Sequence, residues 1–246
     1  MSCLGWNPVI SIIIPALNES AVIRPTLAGA HATEVREIIL SDGGSTDGTP
    51  DIARELGCRV MHVPGGRGCQ MNRAASVASG GVLLFLHADT LLPEGFGAEV
   101  FRMLREPGVI AGAFRLGVDD TRMSLKAVCV LANLRSSLLQ LPYGDQGLFL
   151  RHDTFDRLGG FPEIPVMEDY AFVRILRRHG RIGISRRAVS TSARRWRTLG
   201  VMRTTVANQL MLLGYHAGVS PERLARFYRD RAVESARRAH ADGELW

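Results

Sequence analysis

The sequence has little lysine, no closely paired cysteines and no long apolar run. Lysine occurs once among the 30 basic residues, and the four cysteines form no CxxC pair, which excludes a zinc ribbon and a disulfide framework. No stretch reaches the roughly 20 consecutive apolar residues of a membrane span. No basic residue precedes Arg24, and Pro15 interrupts the first apolar run, so no signal peptide is predicted. These absences predict a cytoplasmic protein, either soluble or at the inner face of the membrane.

The charge of the chain is unevenly distributed. Residues 1–150 carry 12 basic and 14 acidic groups and residues 151–246 carry 18 and 10, which gives a net charge of +6. The arginine surplus fits an anionic partner, because guanidinium groups make bidentate contacts with phosphate. A biased genome composition would explain the same count without any function. With 246 residues, of which 46% are hydrophobic, the chain is large enough for one α/β domain with a real core.

Apolar runs alternate with helical patterns in the first half of the chain. Val9 to Ile14 is a continuous β-branched run, the pattern of a strand buried on both faces of a parallel sheet. Further strands are predicted at Val35 to Leu40, Arg59 to Val63 and Val82 to Leu86. Helices are predicted between them at Ala21 to Ala32, Pro50 to Leu56 and Cys69 to Ser79. The alternation predicts an α/β fold whose mostly parallel central sheet is flanked by helices.

The second half is predicted to be mainly helical from Arg115 onward. Helices are expected at Thr121 to Gln140, just after Arg151, at about Glu168 to His179, at Val201 to His216 and at Pro221 to Ala239. The segment Pro142 to Gly147 between the first two is predicted to be a loop. No internal repeat and no clear linker divides the chain.

Acidic residues stand where the apolar segments end. They occur at Asn18-Glu19, Asp42, Asp89 and Glu168-Asp169. Because strands of an open α/β sheet deliver their carboxyl ends to one edge, these acids can converge although they are far apart in sequence. The pattern predicts a metal and nucleotide site at that edge. Each segment alone also has a structural interpretation, since Asp42 and Asp89 could cap helices and Glu168-Asp169 could occupy a helix N-terminus.

The segments together resemble a known family. Four segments, SIIIPALNES at residues 11–20, SDGGSTDGT at 41–49, LHAD at 86–89 and ED at 168–169, resemble the family 2 glycosyltransferases in order and spacing, and Gly159-Gly160-Phe161 continues the likeness. The resemblance implies the GT-A fold and transfer of a sugar from a nucleotide-diphospho-sugar to an acceptor. It implies a single GT-A-like domain at 1–230, with a nucleotide-binding half at about 8–115, an acceptor half at about 116–200, helices at about 200–239 and a tail at 240–246.

The resemblance also implies roles for individual residues. Asp89 would bind a divalent cation, Mg²⁺ or Mn²⁺, and Asp169 would take the acceptor's proton with support from Glu168, as in inverting members. The implied nucleotide-sugar-binding residues are Pro15, Ala16, Leu17, Asn18, Glu19, Asp42, Gly66, Arg67, Gln70, Asn72, His87, Ala88, Asp89 and Arg195. The acceptor-binding candidates are Asp145, Gln146 and Trp196.

Two motifs depart from the family pattern. His87 replaces the first acid of the DXD motif, which makes metal dependence less secure. Arg195-Trp196 matches the end of the QxxRW motif, but Ser192 stands in the place of its glutamine, which favours a single transfer over polymer synthesis. Structural interpretations remain open for three candidates: Arg67 as a solvated loop residue, Asp145-Gln146 as a turn, and Trp196 as a core anchor.

Finer and rival interpretations remain open. The HAD, GDQG and RRW segments resemble a small bacterial subfamily associated with radical-SAM genes and arsenosugar formation. The substitution at His87 would also fit a nucleotide-sugar-binding regulatory protein without turnover. A third class is a peripheral module that binds acidic lipid or nucleic acid through C-terminal arginines, namely Arg223, Arg226, Arg229, Arg231, Arg237 and Arg238. The apolar series Val201, Val206, Leu210 and Leu213 could form a homodimer face or core. The expected acceptor is a small molecule, a sugar or a lipid-linked group, and no nucleic-acid partner is expected.

Overall fold

The computed structural model describes residues 8–228 of the chain. The predicted C-terminal helix is helical at residues 221–228, and its continuation to residue 239 lies outside the described residues. The same is true of Cys3, of the tail 240–246 and of four C-terminal arginines, Arg229, Arg231, Arg237 and Arg238. Within residues 8–228, no helix is long and apolar enough to cross a membrane.

The strands of the described chain form one twisted sheet. They are β1 (Ile10–Ala16), β2 (Val35–Asp42), β3 (Arg59–His62), β4 (Val82–Phe85), β5 (Thr90–Leu91), β6 (Val109–Val118), β7 (Leu148–Arg151) and β8 (Arg181–Thr191). Their order across the sheet is β3-β2-β1-β4-β7-β6-β8-β5. Because β1 to β4 pair in parallel with one another and β6 pairs in parallel with β8, the predicted mostly parallel sheet is confirmed.

Helices cover both faces of the sheet. They are α1 (Ile23–Gly29), α2 (Thr49–Glu55), α3 (Arg67–Ala75), α4 (Phe96–Leu104), α5 (Met123–Leu139), α6 (His152–Leu158), α7 (Glu168–His179), α8 (Arg194–Leu199) and α9 (Val201–His216). A 3₁₀ turn at Gly144–Gln146 lies between α5 and β7. The predicted long helices at α5, α7 and α9 are confirmed to within two residues at each end. The division of the chain into a nucleotide half and an acceptor half stays a prediction.

The parallel half follows directly from the apolar runs. Every residue of β1 is buried, because helices cover both faces of this central strand. In the register of β1 and β2, Ala16 lies opposite Asp42, so the two strands end side by side at one edge of the sheet. This alignment confirms the geometric expectation that acid-bearing strand ends meet at a common edge.

The antiparallel strands were not expected from the sequence. β7 inserts between β4 and β6 and runs antiparallel to both. β8 carries the exposed pair Arg186-Arg187, and β6 contains Gly112 and Gly117, so neither has the continuous apolar run of β1. The register shifts between β6 and β8 further break the alternation from which such strands are predicted.

A cluster of phenylalanines fills the core between the sheet and the helices α3, α6 and α7. The ring of Phe161 lies 4.8 Å from that of Phe85 and 4.6 Å from that of Phe172. Phe155 packs against the same rings at 5.3–5.8 Å. Because aromatic pairs in such geometry add about 0.5–1.5 kcal/mol beyond burial, the cluster fixes the turn at Gly159-Gly160-Phe161 beneath the edge of the sheet.

Gly112 in β6 provides a test of this packing. A Cβ at Gly112 would overlap the fully buried ring of Phe149 and lie 3.2 Å from Met103 Cε. We expect Gly112→Ala to lower the free energy of unfolding by about 1–3 kcal/mol, the usual cost of an overpacked core. Urea unfolding followed by fluorescence measures the difference.

The control is Gly29→Ala in α1, where an added Cβ meets nothing within 4 Å. Alanine favours the helix, so the free energy of unfolding should be unchanged or up to about 1 kcal/mol higher. Equal stabilities of the Gly112→Ala variant and the native protein would contradict the described contact between β6 and β7.

Candidate active site

Two loops that follow β1 and β2 are joined at the edge of the sheet. The Asn18 amide oxygen accepts a hydrogen bond from Thr46 N at 2.9 Å, and Asn18 N donates to Ser45 Oγ at 2.8 Å. Glu19 N donates to Thr49 Oγ1 at 2.9 Å. Asn18 has a φ of +56°, a left-handed conformation that asparagine tolerates better than most residues. These contacts hold the predicted donor-binding segment in place against the loop that follows β2. The segment, residues 15–19, is here termed the rim.

Asp42 is buried at the end of β2 and organises its own loop. Its carboxylate accepts hydrogen bonds from Gly44 N at 3.0 Å and Ser45 N at 3.1 Å, and His62 Nδ1 lies 3.6 Å away. Burial alone would raise the pKa of Asp42, but the hydrogen bonds from Ser45, Gly44 and His62 outweigh burial and lower the pKa. Asp42 is therefore negatively charged, and its carboxylate accepts hydrogen bonds from its own loop. Its contact with a nucleobase stays a prediction.

The loop after β3 approaches the Asp42 loop through α3. A Cβ at Gly43 would overlap the side-chain amide of Gln70, which is buried, so glycine at this position lets the two segments approach without a shift of Gln70. Gly66 precedes α3 in an extended conformation, and Arg67 opens the helix with an exposed side chain. Arg67 and Gln70 thus lie on the helix that borders the rim, with Arg67 free to reach a ligand.

Asn72 lies on the same helix but has a structural partner. Its side-chain nitrogen donates to Phe161 O at 2.8 Å, and its side-chain oxygen accepts from Phe161 N at 2.9 Å. A ligand contact from this amide would require both hydrogen bonds to break. In the structure Asn72 therefore ties α3 to the Gly160-Phe161 turn, and its contact with the donor stays a prediction.

His87, Ala88 and Asp89 follow β4 at the centre of the edge. Burial, followed by the positive charges of Arg67 and Arg195, lowers the pKa of His87 to about 3, so the imidazole is neutral at physiological pH. Ala88 is buried, whereas Asp89 is partly exposed. Asp89 O accepts a hydrogen bond from Ser192 N at 3.0 Å, which brings the start of α8 to the DXD-like segment.

The loop that contains Gly144 joins the third and fourth acidic segments. Gly144 N donates to Asp169 Oδ2 at 2.7 Å, and Tyr170 N donates to Asp169 Oδ1 at 2.7 Å. A Cβ at Gly144 would lie 3.0 Å from both Asp169 Oδ2 and His87 Nε2. A single glycine therefore separates the predicted base from the DXD-like segment, and the carboxylate of Asp169 is held in one orientation.

Two further acids face this point from buried positions. Asp145 Oδ1 is buried and has no hydrogen-bond partner within the described residues, and burial together with the charges of Asp169 and Asp89 raises its pKa to about 6. Glu168 is 6% exposed, and burial together with Asp169 raises its pKa to about 7, against the opposing charge of Arg67. The acids are therefore crowded enough to disfavour full ionisation.

Arginines supply the opposite charge. Desolvation and the proximity of Arg67 lower the pKa of Arg195, while Asp145 and Asp89 favour its charged form. The guanidinium of Arg195 lies over the ring of Tyr228, 4.6 Å from its centroid. Arg194 closes the site from the side of α8 by an ion pair of 2.6 Å with Glu19. Arg67 and Arg195 thus lie close to each other and to several acids. The arginines suit an anionic ligand, and the acids suit a metal cation bound to that ligand.

An apolar pocket lies beneath these charged groups. Pro15, Met71, Phe85 and Leu148 line its interior, and charged and polar groups stand at its mouth: Arg67, His87, Glu168 and Asp169. Of the rim predicted from Pro15 to Glu19, Pro15 lines the pocket, Ala16 is buried, and Leu17 is 55% exposed above it. The pocket thus joins the donor-binding segment to the acidic pair of α7.

Two of the predicted acceptor-binding residues have buried side chains. Gln146 is fully buried, accepts a hydrogen bond from Ser136 Oγ at 2.7 Å and donates to Phe114 O at 2.9 Å, so its amide holds the turn and cannot reach an acceptor. Trp196 is buried against Leu125 in the core below α8. This burial favours the interpretation of Trp196 as a core anchor, although its indole N–H has no hydrogen-bond partner within the described residues, and its contact with an acceptor stays a prediction.

Three contributors were missed from sequence. Gly144 acts through its main-chain N–H, and Tyr143 lines the pocket. Arg135 of α5 places its guanidinium over the Tyr143 ring, 3.4 Å from the centroid. The aromatic and glycine-bearing character of the loop was visible in the sequence, but a main-chain donor and a stacking partner from a distant helix leave no signal there.

No group of three or more histidine, cysteine, aspartate or glutamate side chains within residues 8–228 is arranged to hold a metal by itself. Asp89 remains partly exposed at the centre of the edge, and the unpaired oxygen of Asp145 belongs to the same cluster of interacting charges. A cation at this position would need ligands from a bound molecule in addition to these carboxylates.

Known proteins match the chain in sequence. A PGL/p-HBAD biosynthesis glycosyltransferase of Mycobacterium bovis (strain BCG / Pasteur 1173P2) is 43% identical over 97 residues, which cover 35% of this chain and 38% of that protein. A glucosyl-3-phosphoglycerate synthase of Mycobacterium tuberculosis (strain CDC 1551 / Oshkosh) is 32% identical over 202 residues, which cover 61% of this chain and 62% of that protein. The chain thus spans less than two thirds of the length of either relative.

The fold also matches solved structures. A mannosyltransferase of Pyrobaculum calidifontis, PcManGT, in complex with GDP-Man and Mn²⁺, superposes with a TM-score of 0.61 at 19% identity over 99% of this chain and 79% of that chain. At this identity the likeness concerns the fold alone, and it confirms the predicted GT-A fold. The family model "Glycosyl transferase family 2" matches residues 11–152. Because this match spans more than half of the 246 residues, the chain belongs to glycosyl transferase family 2.

Proposed function

We propose that this protein transfers a sugar from a nucleotide-diphospho-sugar to an acceptor hydroxyl, with inversion at the sugar carbon and with the help of a divalent cation. The observation that carries the proposal is the position of Asp169. Its carboxylate is fixed by two main-chain N–H groups and is separated from His87 by Gly144 alone. The proposed base thus lies beside the segment that would hold the donor's diphosphate.

Asp169 has the properties of a general base. Each of its oxygens accepts one main-chain hydrogen bond, and because a carboxylate has about four acceptor positions, lone pairs remain for an acceptor hydroxyl. Attack by that hydroxyl from the face opposite the leaving diphosphate inverts the sugar carbon, and the proton passes to Asp169. Glu168 is the supporting residue beside it, because burial and the charge of Asp169 raise the pKa of Glu168 and leave the ionised form to Asp169.

The donor's diphosphate would lie between Arg67 and Arg195. These two guanidinium groups repel each other in the described structure, and a dianionic diphosphate would relieve this repulsion. As the glycosidic bond breaks, negative charge grows on the leaving phosphate, so the same contacts strengthen in the transition state. The rim of residues 15–19, the Asp42 loop and Gln70 would then border the nucleoside.

The donor set present here fits a divalent cation. Mg²⁺ and Mn²⁺ bind carboxylate oxygens together with substrate phosphates rather than closed protein cages. Asp89 offers an accessible carboxylate, and Asp145 offers a buried oxygen without a partner. The mannosyltransferase of similar fold contains Mn²⁺ with its donor. A bound cation would neutralise the leaving diphosphate, while neutral His87 would add no charge to its surroundings.

Two other interpretations are weaker. A regulatory nucleotide-sugar-binding protein would need no oriented base, yet Asp169 is oriented by two hydrogen bonds. The subfamily associated with radical-SAM genes would give a small modified sugar as acceptor or product, and this finer assignment stays a prediction. The acceptor class, whether small molecule, sugar or lipid-linked group, also stays open, as does a homodimer.

The first prediction concerns turnover. Asp169→Asn removes the proposed base and should lower the rate of transfer by about 10²–10⁴-fold, while donor binding persists. Asp89→Ala removes a proposed cation ligand. It should lower the rate of transfer and raise the Mn²⁺ concentration that is needed for the half-maximal rate. Release of nucleoside diphosphate from a donor panel measures both effects.

The matched control is Asp51→Asn, which changes an exposed carboxylate of α2 that pairs with Arg54. It should retain native turnover. Equal release of nucleoside diphosphate by the native protein and all three variants would remove the assignment of Asp89 and Asp169. Absence of release from every donor by the native protein, despite tight donor binding, would favour the regulatory interpretation.

The second prediction concerns the cation. If Asp145 supplies a ligand, Asp145→Asn should weaken Mn²⁺ binding in the presence of nucleoside diphosphate by roughly tenfold or more, since it removes a charged oxygen from the site. Titration of the Mn²⁺ electron paramagnetic resonance signal measures this affinity without turnover. The same affinity for the variant and the native protein would restrict the proposed protein ligands to Asp89.

The third prediction concerns Glu168 and pH. The folded pKa of about 7 lies above the ordinary value of 4.5, so the folded state keeps the proton where the unfolded chain releases it. The stability that this proton contributes is complete below the ordinary value and is lost as the pH rises through 7. Glu168→Gln avoids ionisation, so above about pH 7 it should unfold at higher urea than the native protein, by on the order of 2–3 kcal/mol.

The same comparison at about pH 4.5 should show no difference, because the native carboxyl is then protonated in both states. Glu163→Gln, at an exposed position of the neighbouring loop, is the control and should match the native protein throughout. A native protein whose stability does not fall between these two pH values, relative to Glu168→Gln, would contradict the burial of an ionisable Glu168.

A further inference from the structure

The helix α5 carries apolar side chains on two opposite sides. One side faces the fold: Leu125, Ala132 and Ser136 are buried, and Asn133 exchanges two hydrogen bonds with the main chain of Leu116. The other side is exposed and carries Val130 (65% exposed), Leu131 (64%), Leu134 (52%) and Leu138 (71%). These exposures show that the outer stripe of α5 lacks a partner among residues 8–228, whereas a large apolar helix surface is normally covered by protein or lipid.

The helix α9 touches α5 and repeats this arrangement. Thr204 and Met211 face inward, whereas the outer side carries four large exposed side chains: Met202, Val206, Leu210 and Leu213. These follow each other at helical spacing, which makes them one stripe. Together with the exposed stripe of α5 they are here termed the α5/α9 face. Before α5, only Leu17 and Leu91 are large exposed hydrophobic side chains within the described residues.

The two helices of this face carry basic but no acidic side chains. Neither α5 nor α9 contains an acidic residue, and residues 170–221 contain ten arginines and no aspartate or glutamate. Lys126 of α5 and Arg203 of α9 are exposed, and neither forms an ion pair in the part of the chain that the structure describes. Arg122 and Arg197, by contrast, both pair with Asp120, and Arg197 also pairs with Asp119.

This combination selects the partner. In a symmetric dimer formed through the α5/α9 face, the cations of one copy would approach those of the other without acids to offset them. An anionic lipid surface accepts both properties, because apolar side chains enter the acyl boundary while Lys and Arg contact headgroups. We propose that the α5/α9 face docks this protein on an anionic lipid bilayer.

The proposed docking face borders the acceptor side of the site. The last turn of α5 leads into the loop of Tyr143 and Gly144, and Arg135 stacks on Tyr143. At the end of α9, His216 Nε2 lies 2.6 Å from the hydroxyl of Tyr170, which follows Asp169. Docking would therefore bring the pocket close to a lipid-linked acceptor. This last step rests on the proposed function, whereas docking itself does not.

Vesicle flotation of the full chain tests docking without donor or turnover. We expect binding to phosphatidylcholine vesicles that contain phosphatidylglycerol, little binding to phosphatidylcholine alone, and loss of binding at high salt. Leu131→Asp with Leu138→Asp should weaken binding at least tenfold, because two exposed leucines would no longer enter the acyl boundary. Lys126→Gln with Arg203→Gln should weaken it about fivefold per removed cation.

The matched control is Arg36→Gln with Arg54→Gln, which lowers the net charge by the same two units at exposed positions of β2 and α2. It should bind as the native protein does, and urea unfolding should confirm that all variants are folded. The proposal would be overturned if the native protein did not bind anionic vesicles at low salt. It would also be overturned if Leu131→Asp with Leu138→Asp bound these vesicles as strongly as the native protein does. A third result would also overturn it: the native protein is a dimer in sedimentation velocity, Leu131→Asp with Leu138→Asp dissociates that dimer, and the native protein does not bind vesicles.

Discussion

The site depends on the hydrogen bond from Gly144 N to Asp169 Oδ2. It joins the loop between α5 and β7 to the first turn of α7, two segments that come from different parts of the chain. The loop can offer this N–H because Gln146 beneath it is fully buried and anchored to Ser136 and Phe114. The absence of a side chain at Gly144 then lets His87 and Asp169 approach the same point. A buried amide and a glycine thus set the geometry in which two ionisable residues meet.

The charges at this edge are balanced as a group rather than in isolated pairs. Asp145 and Glu168 are both held toward their neutral forms by burial and by neighbouring acids, whereas Arg67 opposes the shift at Glu168. His87 stays neutral because the arginines and burial disfavour its cation. A first acid in its place would add negative charge to an already crowded cluster. The histidine is therefore consistent with a site that keeps two nearby carboxyl groups partly protonated.

The sequence predicted those parts of the fold in which one physical signal dominates. A continuous apolar run identified β1, and helical patterning identified α7 and α9. Strand β8 was missed because its exposed Arg186-Arg187 pair obscures the apolar pattern. Strand β6 was missed because its glycines add no apolar side chain to the pattern, and the side chains of neighbouring residues fill the space beside them. At the site, the sequence identified the acidic residues but not the hydrogen-bond partners of the side-chain amides. Nothing local distinguishes Asn72 bound to Phe161 from Asn72 facing a ligand, because that contact joins residues 89 positions apart.

The C-terminal helices are mechanically continuous with the site. Tyr170 contributes its main-chain N–H to Asp169, while its ring packs against Tyr143 at 6.2 Å and against Tyr215 at 5.8 Å. Its hydroxyl is paired with His216 of α9. The residue that orients the proposed base is thus itself held by the loop on one side and by α9 on the other. Tyr170 therefore links α9 to Asp169, because one residue contacts His216 and Tyr215 through its side chain and the carboxylate of Asp169 through its main chain.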